Sequence, residues 1–229
     1  MSKSFAYYYY YILAYSPLIP LAFGIRHFRR LTAPTKLFFW YLVISLLLTV
    51  IMTVLALQKR NNLWLMNSSQ PLYVILLIGM FSLWQKNILV RKIMRASIGL
   101  FILVWFFEVI VLQRLFEFTK FAKPTENLIL MLGSCITIFA LNNAKDRPMI
   151  ETPQFWIASG VLIYFGGMIM VNLFSSSMFQ VSATTLRSVL IPIQPTLNLI
   201  AHTFYIGGFL YQCQQVNLSG LSLSAQPSS

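Results

Sequence analysis

Charge is absent from long apolar stretches of the chain, and these stretches are separated by short polar connectors. An ionised side chain at the bilayer centre costs roughly 2.5 kcal/mol or more to insert, so a charge-free gap of about 20 residues is a candidate span. No charged residue lies between Lys3 and Arg26, between Lys36 and Lys59, or between Arg60 and Lys86. Arg95 to Arg114 is interrupted only by Glu108; Glu126 to Lys145 and Glu151 to Arg187 are uninterrupted, and no formal charge follows Arg187. The gaps predict seven helices, at about 7–25, 37–57, 64–84, 96–114, 127–143, 154–175 and 188–212. Runs this long and continuous read as helices, because the strands of a membrane barrel would alternate in segments of about ten. The predicted fold is therefore all-α, a polytopic seven-transmembrane-helix bundle forming a single domain over 1–214, with a polar, Ser-rich tail over 215–229.

Composition agrees with that pattern. The 229 residues are 58% hydrophobic and only 10% charged, with a mean hydropathy of +0.71, outside the range of soluble domains. The spans leave no length for a separate soluble domain, so any chemistry lies in the bundle or its short connectors. The first span has a long, Tyr-rich apolar part and no small-x-small cleavage site, unlike a cleavable signal peptide. Its five consecutive tyrosines, Tyr7 to Tyr11, read as an interfacial belt with apolar rings and wet hydroxyls; an aromatic recognition box is the lesser alternative.

The formal net charge of +12 matters through where it falls. Arg26, Arg29, Arg30, Lys36, Lys86, Arg91, Lys92, Arg95, Lys145 and Arg147 follow helices 1, 3 and 5; Lys3, Lys59, Arg60, Arg114, Lys120, Lys123 and Arg187 fall on the opposite side. The excess on the first side predicts an outside N-terminus and a cytoplasmic C-terminus. The clusters Arg26 to Lys36 and Lys86 to Arg95 can also attract anionic lipid headgroups at the cytoplasmic face. Nucleic acid is not an expected partner, since no extramembrane fold presents these residues to it. The connector from Arg114 to Glu126, with Phe116, Phe118 and Phe121 interleaved, reads as a short amphipathic piece at the outer interface, and Pro124 and Thr125 start helix 5.

Several chemistries are excluded by inventory. A retinal Schiff base needs a lysine in the last helix, and the last lysine is Lys145. A catalytic zinc normally takes three protein ligands and a water, and the chain has two histidines, His27 and His202. Cys135 and Cys213 form neither a CxxC motif nor a disulfide framework. G-x-S-x-G and phosphate-loop motifs are absent. No cofactor and no metal are expected. The pairs Gly166-Gly167 and Gly207-Gly208 lie inside helices, where they read as positions of close packing or bending.

The remaining candidates are intramembrane polar residues. Gln194, Asn198 and His202 fall at i, i+4 and i+8 on helix 7, with Pro192 and Pro195 near its outer end. Glu108 is the only acid inside any predicted span. At 1.5 Å per residue it lies about 18 Å up helix 4, and His202 about 15 Å above the cytoplasmic end of helix 7. Were the two helices neighbours, Glu108 and His202 could pair and titrate as a unit; a buried structural hydrogen bond is the competing reading. Tyr164 and Asn172 on helix 6, and Asn67 and Gln70 at the start of helix 3, complete a candidate polar cavity open to the outside, with Glu108 and His202 at its floor. Plain interhelical hydrogen bonding is the alternative.

The segments Asn61-Asn62-Leu63-Trp64-Leu65, Pro153 to Gly166 and His202 to Phe209 resemble a group of small seven-helix integral membrane proteins common in Bacteroidota. The resemblance covers nearly the whole chain. It implies a bacterial inner-membrane location and a compact module serving a signalling system. Members carry a histidine and an acid near the start of helix 3, where this chain has Asn67 and Tyr73, which argues against a metal or acid–base site there.

These readings converge on a receptor-like or adaptor module that binds a small ligand, lipid or membrane signalling partner inside the bundle. The alternative is a small-solute or proton-coupled transporter using Glu108 and His202. An enzyme has the least support, because no nucleophile and base are paired.

Overall fold

The computed structural model describes residues 15–142, 148–177 and 183–224; the side chains of 173–177, 183–192 and 215–224 lie outside that description. The Tyr7 to Tyr11 run, residues 7–14 of the first predicted span, Lys145 and Arg147, and the last residues of the tail fall outside the described residues.

Seven α-helices and no strand occur among the described residues: α1 (Leu18–Arg26), α2 (Ala33–Leu57), α3 (Leu63–Trp84), α4 (Ile88–Phe106), α5 (Ala122–Asn142), α6 (Pro153–Ser177) and α7 (Ala183–Ser224). A π-helical turn, Phe107–Val111, continues α4. Five helical stretches are long and apolar enough to cross a membrane: Ala33–Leu57, Leu63–Trp84, Ile88–Val111, Ala122–Asn142 and Pro153–Asn172.

Helix starts depart from the charge-gap positions for local reasons. Helix α4 begins at Ile88 rather than near 96, because Asn87 Oδ1 caps it by accepting from Leu89 N (2.8 Å) and Val90 N (3.4 Å). Arg91, Lys92 and Arg95 therefore sit on its first turns, where long stems let their charges reach the interface. Helix α5 starts at Ala122 instead of 127, which brings Lys123 and Glu126 into its first turns. Helix α7 starts at Ala183 and runs on to Ser224, into the segment read as a polar tail. Pro192 and Pro195 consequently lie within the helix.

Helices α1, α2, α3, α5, α6 and α7 pack in that cyclic order, α7 closing against α1, while α4 lies outside the ring against α3 and α5. The heptad-spaced Met94, Phe101 and Glu108 are the buried seam of α4, and Leu89, Ile93, Leu100, Leu103, Phe106 and Ile110 stay exposed, a surface suited to lipid tails. The seam between α6 and α7 depends on glycine. A Cβ at Gly160 would lie 2.5 Å from Tyr205 Cε1, one at Gly167 2.6 Å from Leu197 Cδ1, and one at Gly208 2.5 Å from Ile157 Cγ1. Each helix thus admits side chains of the other, the small-residue route to close approach in a bilayer. Gly166 plays no such part, its nearest neighbour being Met131 Sδ at 3.8 Å.

The core sits toward one end of the ring. Phe38 and Leu42 near the start of α2, Ile78 and Phe81 near the end of α3, Ile157 and Val161 on α6, and Phe209 on α7 are all buried. Phe38 meets Tyr205 edge-on with ring centroids 4.7 Å apart. At the same end Gln212 Oε1 accepts from Thr35 Oγ1 (3.1 Å) and Thr32 Oγ1 (3.3 Å), tying α7 to the start of α2. Gln85 Nε2 donates to Thr137 Oγ1 at 3.3 Å, tying α3 to α5. The opposite end, carrying connectors 58–62 and 112–121, is hollow.

Candidate functional site

A cavity of about 460 Å³ occupies that end of the ring, within the range of small-molecule sites. Ser45, Thr49 and Thr53 line it from α2, Ser69 and Tyr73 from α3, and Lys123 and Glu126 from α5. Tyr164, Met168 and Asn172 contribute from α6, and Gln194, Asn198, His202 and Tyr205 from α7. Pro17 before α1 and Phe118 of the connector complete the wall. Helical spacing explains why these residues converge: Ser45, Thr49 and Thr53 recur every four positions on α2, as do Gln194, Asn198 and His202 on α7, so each set forms one face.

The charged element is a pair on the first turns of α5. Lys123 Nζ donates to Glu126 Oε2 at 2.8 Å, across an i, i+3 spacing. The Glu126 side chain is 0% exposed and that of Lys123 is 24% exposed. Glu126 Oε1 has no hydrogen-bond partner among the described residues. A carboxylate offers about four acceptor positions and an ammonium three donors, so the pair neutralises itself while leaving hydrogen-bonding capacity on both groups.

Five of the eight residues singled out from sequence line this cavity: His202, Asn198, Gln194, Tyr164 and Asn172. Glu108, Asn67 and Gln70 do not. Glu108 accepts from the backbone amides of Lys120, Phe121 (2.9 Å) and Ala122 (2.6 Å). It therefore caps α5 from another helix, placing a negative charge on amides that have no intrahelical acceptor. His202 Nδ1 is instead 2.7 Å from Ser16 Oγ, joining α7 to the segment ahead of α1. The structure pairs neither with the other.

Asn67 and Gln70 are fully buried and bind the connector. Asn67 Nδ2 donates to the carbonyls of Leu115 (2.9 Å) and Glu117 (2.8 Å), and more distantly to that of Arg114 (3.3 Å). Gln70 Nε2 donates to Thr119 Oγ1 at 3.4 Å. The backbone carbonyl of Asn67 would meet an N–H four residues on, but that residue is Pro71 inside α3. The indole of Trp105 fills the vacancy, its Nε1 donating to Asn67 O at 2.8 Å. Gln113, with φ of 54°, turns the chain sharply after the π-helical turn. The connector read as an amphipathic interfacial piece is thus a non-helical segment fastened by Asn61, Asn67, Gln70 and Glu108. Its fastening holds Phe118 and Lys123 at the cavity wall.

Lys123 and Glu126 are the site residues that the charge-gap reading missed. Glu126 bounds a charge-free gap, so that reading leaves it and Lys123 outside the span, although Pro124 and Thr125 already mark the helix start and the i, i+3 opposite charges flank them.

Chemically, the cavity offers one ion pair, tyrosine hydroxyls, carboxamides and a histidine ring; this inventory suits recognition of a small polar molecule. Among the described residues no group of three His, Cys, Asp or Glu is placed to hold a metal ion. Fold and site define a protein that is helical over its described residues, with five helices able to cross a membrane and, at one end of its ring, a chamber whose largely apolar wall carries polar side chains from five helices. Comparison with protein-family models, curated proteins and solved structures finds no match to this chain.

Proposed function

We propose that the chain is a receptor-like membrane module that binds a small polar ligand in the chamber between α2, α3, α5, α6 and α7. In this reading all seven helices cross the bilayer, the N-terminus lies outside, the C-terminus is cytoplasmic, and the chamber faces out. A bacterial inner-membrane setting, anionic lipid at the basic connectors and a membrane signalling partner belong to the same proposal, the first and last on the strength of the family resemblance. The observation that supports it is the cavity of about 460 Å³, whose wall draws polar side chains from five helices. Interhelical hydrogen bonding alone gives no reason to leave such a space, because bundle interiors otherwise close by packing.

The transporter alternative using Glu108 and His202 ranks lower, since Glu108 is committed to three backbone amides. It keeps a clear test: Glu108→Gln abolishes pH-dependent flux in proteoliposomes if that residue carries protons.

Ligand-dependent stabilisation tests the receptor reading. Purified protein in detergent is screened by thermal unfolding against small polar solutes, and a ligand at about 100 times its Kd raises stability by about 2.7 kcal/mol. Asn198→Leu places an apolar side chain in the wall and removes that response. A panel that leaves the unfolding midpoint unchanged, or a response that survives Asn198→Leu intact, counts against a ligand in this chamber. The adaptor form predicts co-purification with a larger membrane protein.

A further inference from the structure

We propose that the chamber takes a small zwitterion of the amino-acid class, its ammonium on Glu126 Oε1 and its carboxylate on Lys123 Nζ. The inference rests on reading the chamber as a ligand site and specifies what enters it.

Three observations lead there. Glu126 is fully buried at the chamber wall, and its Oε1 has no hydrogen-bond partner among the described residues. Leaving a buried carboxylate oxygen unpaired is costly, and a shift of the Glu126 side chain toward the chamber would give Oε1 a donor from the ligand. Lys123 donates one of its three N–H bonds to Glu126 and is partly exposed, leaving donors for an anionic acceptor. Finally, among the described residues Lys123 and Glu126 are the two side chains with full formal charges on the wall, and they cancel.

The cancellation decides the ligand's charge. A net cation or a net anion would leave one charge uncompensated beside the buried Glu126 carboxylate, which burial penalises. A zwitterion is neutral overall and presents opposite charges a few bonds apart, matching the opposite charges of Glu126 and Lys123, whose Oε2 and Nζ are 2.8 Å apart. Insertion converts the pair into a four-charge cycle with alternating signs. Tyr73, Tyr164 and Tyr205 line the same space and add aromatic surface to its wall. An N–H donor is required at Oε1, so a quaternary zwitterion such as glycine betaine fits less well than a primary amine.

The test measures thermal unfolding and equilibrium binding of the full chain in detergent micelles against the free standard amino acids. The binders are then compared with their N-acetyl and methyl-ester forms, with glycine betaine and with neutral polyols. The expected result is stabilisation by at least one free amino acid and a loss of affinity of about tenfold or more on blocking either its amine or its carboxylate. Glu126→Gln and Lys123→Met each remove the same response, and Glu126→Asp restores part of it. Helical circular dichroism and a monodisperse elution profile establish that each variant is folded. Should a variant not fold, the blocked ligands carry the test alone, on the native chain. Equal binding of free and blocked forms overturns the inference, as does failure of every free amino acid at millimolar concentration. A polyol or betaine whose effect survives Glu126→Gln but is lost in Asn198→Leu rejects the zwitterion and leaves the ligand chamber standing. An unresponsive protein across the whole panel counts against both.

Discussion

The two ends of the helical ring solve the same problem, holding apolar helices side by side in a bilayer, by different means. At one end Phe38, Leu42, Ile78, Phe81, Ile157 and Phe209 are buried against one another, and glycines on α6 and α7 let those helices approach closely. At the other end the same α2 turns Ser45, Thr49 and Thr53 inward around a space, and cohesion comes from hydrogen bonds to a connector. The two buried carboxylates of that hollow end sharpen the contrast. Glu108 has both oxygens taken by amides of 120–122, whereas Glu126 has one oxygen taken by Lys123 and one unpartnered among the described residues. The first charge is used up in fastening the connector, and the second keeps acceptor capacity at the cavity wall.

If hydrogen bonding holds the hollow end, breaking its central clasp has the largest effect. Glu108→Ala strands three amide donors at the start of α5, each worth about 1–3 kcal/mol when buried without a partner. We expect a loss of about 3–5 kcal/mol, moderated by water entering from the connector side. Glu108→Gln keeps an acceptor oxygen and recovers part of that loss. Thermal unfolding gives the magnitude, and hydrogen exchange accelerated at Lys120, Phe121 and Ala122 gives the location. Unchanged exchange at these amides would mean that the connector holds itself.

The packed end breaks differently. Gly160→Val drives a side chain toward Tyr205, and also toward the Ala201 carbonyl oxygen, which lies 2.9 Å from the first added carbon. That oxygen is backbone and cannot rotate away, so α6 and α7 must part, at about 1–3 kcal/mol. Gly166→Ala, six residues further on, meets only Met131 at 3.8 Å and should be neutral or slightly stabilising, since alanine favours helix by about 1 kcal/mol over glycine. Equal losses at the two positions would show that the close approach at Gly160 does not set the response.

How much of this was legible in the chain follows from which interactions are local. Helix positions could be read because the insertion cost of Lys, Arg, Asp and Glu acts residue by residue. The cavity-lining face of α7 was readable because Gln194, Asn198 and His202 repeat at helical spacing, with Gln194 at its exposed edge. The partners of Glu108 were not, because they lie on a connector whose return path depends on Asn67 and Gln70 gripping its backbone carbonyls and Thr119. A charge-gap argument also takes every ion as a boundary, so it places an acid already neutralised by its neighbour outside the helix. Lys123 and Glu126 form such a case: their i, i+3 pairing lowers the cost of entering the span and lets α5 begin at Ala122.

The smallest effects come from a matched pair on one helix, Thr35→Val and Thr49→Val. Both substitutions preserve shape and replace a hydroxyl with a methyl. Thr35 is fully buried at the packed end of α2 and donates to Gln212 Oε1 at 3.1 Å, so its loss removes one of two threonine donors from that buried carboxamide. Thr49 lines the chamber and donates to the carbonyl of Ser45 in its own helix at 2.8 Å, a bond to an acceptor the helix already uses. Thr35→Val should cost about 1 kcal/mol, and Thr49→Val should fall within about 0.5 kcal/mol of neutral. The chamber reading also requires Thr49→Val to change ligand-dependent stabilisation more than it changes the stability of the empty protein, with Thr35→Val doing the reverse. Measuring both variants with and without the best stabilising solute gives four midpoints. Should the two substitutions shift these midpoints in parallel, the hollow end is simply a poorly packed copy of the other, and the division between a structural half and a binding half fails.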